Sequence, residues 1–389
     1  MMPAVAQTQA VPRKDAQPRE GLAQRYDLWM AGAALLLVLL GVVMVASASV
    51  SIAERQFSEP LHYFWKQLFN VTLGIAVALV AVGVPSRLWR ENGAWLLFLG
   101  FMLLVLVLIP GVGREVNGSL RWLRVGPMNL QPSEFMKVFV VVYLAGYLVR
   151  RGEEVRSVWS GFFKPIFVLS MVAALLLLEP DYGATVVLFA TALGMLFLSG
   201  VPLVSFFGWM TAIGGILGAI VLTAPYRVER LTTFLDPWAD PFGSGFQLTQ
   251  ALIAIGRGDW FGVGLGNGVQ KLFYLPEAHT DFVFAVLAEE LGLAGMILVI
   301  GTVTFIAWRA FAIAERANAE AQPFGAYMAY GIGLLMGLQA FINIGVNMGM
   351  LPTKGLALPL MSYGGSSMLA NCLAVGILIR VDHELRVNR

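Results

Sequence analysis

Charge is scarce in this chain of 389 residues: 26 Lys and Arg with 24 Asp and Glu make up 13% of it. Soluble domains carry about 25% charged residues, so a water-soluble globule is excluded. Cysteine is rarer still. The single Cys372 rules out an internal disulfide, and it lies in a hydrophobic run where a thiol acts as a small packing group. Histidine occurs three times, as His62, His279 and His383, far apart in sequence. No Cys–His spacing exists, so no metal-binding cluster is visible and a metal site is unknown. Gly262-Val263-Gly264-Leu265-Gly266 has a superficial likeness to a dinucleotide loop. It follows no strand–turn–helix pattern, and that reading is rejected in favour of a tight loop.

What the chain has in quantity is apolar surface: 58% hydrophobic residues and a mean hydropathy of +0.74. Runs of about 17–25 apolar residues cross a bilayer. By that measure there are about ten spans, at 28–48, 65–84, 93–110, 133–150, 164–179, 182–200, 204–224, 282–308, 324–344 and 366–381. The expected class is an all-α polytopic membrane protein with a single membrane domain over 26–381. Residues 1–25 read as a disordered tail and 382–389 as a short C-terminal tail. Ala46-Ser47-Ala48 looks like a signal-peptidase site, but the run before it is longer than the 7–15 residues of a signal core. It reads as a retained signal anchor. Gly214-x-x-x-Gly218 and Gly333-x-x-x-Gly337 have helix-packing spacing. Asn117-Gly118-Ser119 fits a glycosylation sequon too short to carry weight.

An even number of spans puts both termini on one side. Arg13, Lys14, Arg19, Arg25, Arg87, Arg90, Arg150, Arg151, Arg156, Lys164, Arg309, Arg316, Arg380, Arg386 and Arg389 fall on that side. The short loops opposite hold only Arg55, Lys66 and Lys354, so both termini are expected in the cytoplasm. Two longer external loops are basic as well. Residues 111–137 hold Arg114, Arg121, Arg124 and Lys137, and 225–281 hold Arg227, Arg230, Arg257 and Lys271. An anionic ligand at the membrane surface would explain them. So would snorkelling side chains in contact with headgroups.

The polar interval from Pro225 to Phe282 is the longest non-membrane stretch, and loops of that length are functional or disordered. Its Phe, Trp, Tyr and Leu content favours folding. It closes with Asp281 at the mouth of the next helix. An acid there can be a plain complement to the helix dipole, with Thr280 as N-cap. It can also be a base, if partial burial raises its pKa. Glu289 and Glu290 lie about 12–14 Å into a helix that starts near Phe282, where they would need a cavity or partner. If the span begins near Leu291 they are interfacial acids. Glu134 and Lys137 are spaced to pair on one helix face, either as a structural ion pair or as ligand contacts. Trp122 between Arg121 and Arg124 suggests an element lying on the bilayer.

Several of these stretches resemble one family. They are Gly118-Ser119-Leu120-Arg121-Trp122, Gln131-Pro132-Ser133-Glu134, Glu179-Pro180-Asp181-Tyr182-Gly183, Asp236-Pro237, Gly245-Phe246-Gln247 and Gly264-Leu265-Gly266. Most specific are the run from Lys271 through Leu275-Pro276-Glu277-Ala278-His279-Thr280-Asp281-Phe282, and Leu351-Pro352-Thr353-Lys354-Gly355 with Ser362-Tyr363-Gly364-Gly365. The chain is similar over about 28–381 to the SEDS proteins (shape, elongation, division and sporulation), and resembles their Gram-negative cell-division branch. Asn129 departs from the family where some relatives are basic, which shifts diphosphate contact onto Arg121, Arg124 or Lys137. Ala251 replaces a common Ser, a minor change.

The resemblance implies ten helices with a large extracytoplasmic loop between the seventh and eighth. It implies a peptidoglycan glycosyltransferase that polymerises lipid II at the division septum of the bacterial inner membrane. Asp281 takes the place of the essential acid, Glu134 and Lys137 that of a membrane-proximal pair, and Lys354 that of a loop lysine. Arg121, Arg124, Lys271, His279 and Ser362 are the further expected substrate contacts. The sequence requires no cofactor; a divalent cation (Mg or Mn) is compatible with departure of a diphosphate. Expected partners are a class B penicillin-binding protein, the transpeptidase FtsI, with FtsQ, FtsL and FtsB. A lipid II flippase using Glu289, Glu290, Asn343 and Asn347, or a non-enzymatic divisome scaffold, are the alternatives.

Overall fold

The computed structural model describes residues 26–387, apart from 117–118, 127, 158, 224–227, 229–231, 273 and 353–354. The expected disordered tail at 1–25, and Lys354, lie outside the described residues. Among these residues nine helices are long and apolar enough to cross a membrane, and a shorter apolar one, Tyr182–Leu198, joins them. With a thirteen-residue helix of the polar interval, α8, they run in order as α1 (Leu28–Phe57), α2 (His62–Gly83), α3 (Ser86–Leu108), α4 (Pro132–Ser157), α5 (Trp159–Leu178), α6 (Tyr182–Leu198), α7 (Leu203–Leu222), α8 (Phe246–Gly258), α9 (Val283–Ala319), α10 (Pro323–Asn347) and α11 (Gly365–Val387). Of these, α8 is the one outside the expected spans; it lies in the long polar interval. The segment expected as a C-terminal tail is helical to Val387, because Asp382 on α11 binds Arg316 and Arg386 at 2.5 Å each.

Local chemistry sets the helix starts. Asp27 caps α1 by accepting from Met30 N at 3.2 Å. Asp181 caps α6 by accepting from Ala184 N at 3.1 Å, so the Glu179–Tyr182 break is a true helix boundary. Pro323 opens α10, where its missing N–H costs nothing. The residues Val138–Val142 and Leu144–Leu148 of α4 are buried on every face, so α4 is the central post of the bundle.

Small residues make the close crossings. A Cβ on Gly41 would lie 2.5 Å from Met361 O, and one on Gly333 2.9 Å from Ala310 Cβ. Gly333-x-x-x-Gly337 therefore packs α10 on α9 as its spacing suggests. Gly214-x-x-x-Gly218 does not: no described atom would lie within 4 Å of a Cβ at either position, because α7 is a peripheral helix.

Two features depart from plain helices. Residues 113–130 form an antiparallel sheet, β1 (Gly113–Val116), β2 (Ser119–Val125) and β3 (Met128–Leu130), with Arg114 opposite Trp122 and Arg124 opposite Asn129. The expected surface element at Trp122 is thus a strand. Ser366 ties the sheet to α11, accepting from Gln131 N at 2.7 Å and donating to Asn129 O at 3.3 Å. The second feature is a break in α9 at Gly292 (φ 65, ψ −160). The Gly258–Gly264 hairpin fills it: Val263 and Gly264 N–H groups donate to Glu289 and Glu290 carbonyls, and Leu293 and Ala294 donate to Asp259 and Trp260. Glycine is required on both sides, since a Cβ on Gly258 would sit 1.9 Å from Ala288 O.

Candidate active site

Asp281 stands one residue before the Phe282 cap of α9 and is half-buried. Its backbone carbonyl accepts from Asn343 Nδ2 at 2.9 Å and Asn347 Nδ2 at 3.0 Å. Asn347 Oδ1 accepts in turn from Ala285 N at 3.1 Å. Asn343 also donates to Leu356 O at 2.5 Å. The Asp281 carboxylate faces that same 355–357 segment: its Oδ2 lies 3.0 Å from where a Cβ on Gly355 would be. Glycine there leaves the carboxylate room.

One turn lower on the same face of α10 is Gln339, which accepts from Lys137 Nζ at 2.7 Å and donates to Ala357 O at 2.9 Å. Lys137 also pairs with Glu134 at 2.9 Å, and both are buried. Gln339, Asn343 and Asn347 thus form an i, i+4, i+8 amide stripe. It joins the Glu134–Lys137 pair on α4 to Asp281 and to the 355–357 loop. At about 1.5 Å of rise per residue, the Gln339 and Asn343 anchor points are roughly 6 Å apart along α10. A buried cation and a half-buried carboxylate are therefore held on one scaffold.

The sheet closes one flank. Arg121 donates through Nε to Glu179 O at 3.0 Å and through Nη2 to Pro180 O at 2.5 Å, where the ends of α5 and α6 meet. Its guanidinium fastens the sheet to the bundle. Arg124 is exposed on the opposite strand face. Glu179 is fully buried and both its carboxylate oxygens lack hydrogen-bond partners among the described residues. Burial pushes its pKa up to about 8, with Asp181 adding and Arg121 opposing, so it is held protonated at neutral pH.

Other expected contacts have structural roles here. Lys271 is buried, and its ammonium binds Glu290 at 2.6 Å and Ser47 at 2.7 Å. In this structure it clamps the 271 loop to α9 and α1. Ser47, from the stretch that looked like a cleavage site, also donates to Glu290 at 2.7 Å. Glu289 accepts from Val269 N, Gln270 N and Arg257. Both acids are fully buried and paired, Glu289 with Arg257 and Glu290 with Lys271. Ser362 is buried and accepts from Leu358 N at 2.8 Å, which fixes a turn. His279 is buried between Tyr63 and Tyr363, at ring distances of 4.7 and 5.4 Å. Burial lowers its pKa and nearby Glu277 opposes this, so the ring is neutral. Tyr363 N donates to His279 O at 3.0 Å, locking the 360s loop against the approach to Asp281.

Among the described residues no group of three or more His, Cys, Asp or Glu side chains could hold a metal ion. Gln339 escaped the sequence reading. Its one signal was amide spacing, at i, i+4 and i+8, on an apolar helix.

Known proteins share this architecture. A chain solved in a peptidoglycan synthase complex that coordinates polymerization and crosslinking superposes with a TM-score of 0.76 at 30% identity, covering 92% of this chain and 98% of that one. The rod shape determining protein RodA of Thermus thermophilus superposes at 0.68 with 28% identity, covering 92% and 97%. The chain is 56% identical over 367 residues to a probable peptidoglycan glycosyltransferase FtsW of Nitrosococcus halophilus, with 94% of each chain covered. It is 51% identical over 368 residues to that of Coxiella burnetii, covering 95% of this chain and 99% of the relative. The profile of the cell cycle protein family of FtsW, RodA and SpoVE matches residues 27–387, and with relatives above half identity over nearly the whole length, the chain belongs to that family.

Proposed function

We propose that this protein is a peptidoglycan glycosyltransferase that polymerises lipid II at the division septum, with Asp281 as its base. The observation that carries the reading is the shared scaffold of Asp281 and Lys137 on the α10 amide stripe. The relatives named as probable FtsW glycosyltransferases support the same activity. In the reaction, Asp281 takes the proton from the 4-hydroxyl of an acceptor GlcNAc. The oxygen attacks C1 of a donor MurNAc, the C1–O bond to the diphosphate breaks, and the configuration inverts from α to β. Inverting hydrolases need a second carboxyl to protonate an alkoxide leaving group. A diphosphate leaves as a stabilised anion, so one base suffices. Cations then meet the departing charge: Lys137 at the buried end, Arg124 on the exposed strand face, and Lys354 from the 351–364 loop.

The ion pairs Arg309–Asp27, Arg316–Asp382 and Arg380–Glu384 gather at one end of the bundle. We assign that end to the cytoplasm with both termini, which puts Asp281 on the outer face of the inner membrane. A transport path through Asn343 and Asn347 would need their amides available to a moving headgroup. Both are engaged in holding the Asp281 loop. The partner assigned is a class B penicillin-binding transpeptidase, FtsI, with FtsQ, FtsL and FtsB in the larger complex; the similar chain solved within a synthase complex supports the first.

The test is glycan synthesis from labelled lipid II by the protein with its transpeptidase, beside Asp281→Asn. A lost base lowers the rate ~100- to 10,000-fold. Normal polymer from a folded, partner-bound variant would remove Asp281 from the mechanism.

A further inference from the structure

The hairpin that fills the break in α9 ends in two aromatic side chains that stay exposed among the described residues. Trp260 is 64% exposed and Phe261 83%. Neither is used in the site around Asp281. Leu265, just beyond, is exposed too.

Their height in the bundle can be read from α9. The seventeen residues from the break at Gly292 to Arg309 rise about 26 Å, close to the ~30 Å of a bilayer's hydrocarbon core. At the far end, Arg309 pairs with Asp27, and Trp29 and Trp308 are exposed beside that pair. That is one aromatic belt of the kind that marks a membrane–water boundary. The Gly292 end should carry the other, and Trp260 and Phe261 are there. Their lateral position follows from hydrogen bonds. Ala294 N donates to Trp260 O at 3.1 Å. Ile297 and Leu298, three and four residues on and on the same helix face, are exposed apolar side chains on the membrane-facing wall of α9. The hairpin therefore caps a lipid-facing stripe and continues it. Arg257 at the hairpin base stays 44% exposed while pairing with Glu289 at 3.3 Å, which suits a headgroup environment.

We propose that the Gly258–Gly264 hairpin is a membrane-interface anchor, with Trp260 and Phe261 seated at the headgroup–acyl boundary of the leaflet on the Asp281 side. The consequence is positional. The hairpin is hydrogen-bonded to both halves of α9, and the outer half, Val283–Leu291, begins two residues after Asp281. Seating the hairpin fixes the depth of that half, and so the height of the Asp281 carboxylate above the lipid plane. A lipid-linked substrate presents its reacting carbon at a height set by the same plane.

The experiment uses the full-length chain with Cys372→Ser, which removes its one native thiol, and Phe261→Cys labelled with an environment-sensitive fluorophore. It is reconstituted in vesicles of phosphatidylethanolamine and phosphatidylglycerol containing quencher lipids labelled near the headgroup or near the chain end. The expected result is a blue-shifted emission. Quenching by the headgroup-proximal label should be at least about twofold stronger than by the chain-end label or by aqueous iodide. Emission typical of water, with iodide the strongest quencher, would overturn the proposal. So would a probe that becomes dry only when the transpeptidase is added, which would make the hairpin a protein-docking surface. Trp260→Ser with Phe261→Ser, both exposed positions, should keep the thermal midpoint and lower polymerisation in vesicles severalfold. An unchanged rate would sever the anchor from the height of Asp281.

Discussion

The side-chain amide of Asn343 donates to the backbone carbonyl of Asp281 at 2.9 Å and to that of Leu356 at 2.5 Å. One buried amide thus holds the proposed base and the loop that faces it. Asn343→Leu removes both donors and leaves two carbonyls without this partner. An unmade buried hydrogen bond costs about 1–3 kcal/mol. Because Asp281 shifts with its backbone, the polymerisation rate should fall ~10- to 100-fold, by analogy with the steep cost of small misplacements of reacting groups. The check is kcat for polymerisation beside the thermal midpoint; a lowered midpoint with full kcat would make Asn343 purely structural.

Lys137 and Glu134 form a buried pair at 2.9 Å. Lys137→Met strands the Glu134 carboxylate, and breaking a buried pair costs about 3–5 kcal/mol. Adding Glu134→Gln should recover most of that stability. Activity should not return if Lys137 is the cation that meets the diphosphate, as proposed. Thermal unfolding and lipid II polymerisation on the single and double variants separate the two effects.

Lys271 makes the opposite prediction. Its ammonium is bound to Glu290 and Ser47. Lys271→Met should destabilise the protein, and Lys271→Met with Glu290→Gln should restore both stability and most of the rate. A rise in KM for lipid II in the restored double variant would show that Lys271 touches substrate after all.

Glu179 gives the pH dependence. Its ordinary pKa is 4.5, and burial raises the folded value to about 8. Between those values the folded state keeps a proton that the unfolded state has lost. The stability from the neutral carboxyl is fully present below about pH 4.5 and declines as pH rises to about 8. The thermal midpoint should therefore fall from about pH 5 to about pH 8, and Glu179→Gln should flatten this slope. An identical slope in the variant would assign it to another group.

Gly292 and Gly258 test the break in α9. A Cβ on Gly292 would lie 2.4 Å from Gly262 N, in a φ of 65 that other residues rarely adopt. Gly292→Ala should lower the yield of folded protein sharply. Gly301→Ala in the same helix, with open space around it, should not. Size-exclusion profiles in detergent read the difference.

Most of the membrane helices were legible in the sequence because lipid solvation demands long apolar runs and self-satisfied backbones. Asp281, Glu134 and Lys137 were legible as candidates because ionisable residues at membrane edges are few. The strands at 113–130 were hidden: short segments with mixed polarity carry weak period-two patterns. Lys271 illustrates a different limit. Its loop position suggested a substrate cation, and nothing in the order of residues says that Glu290 and Ser47 close on it.

The sequence by itself determined the class of the protein, the approximate places of its apolar spans, the break at Glu179–Tyr182, and the short list of side chains that could do chemistry. These are local properties, set by hydropathy, capping and the scarcity of charge. Only the tertiary structure decided which of those side chains share a site. Asn343 and Asp281 are 62 residues apart, and Lys137 and Gln339 are 202 apart. Their meeting depends on how α4, α9 and α10 pack, and on a helix that breaks at Gly292 because a hairpin supplies the hydrogen bonds it gives up.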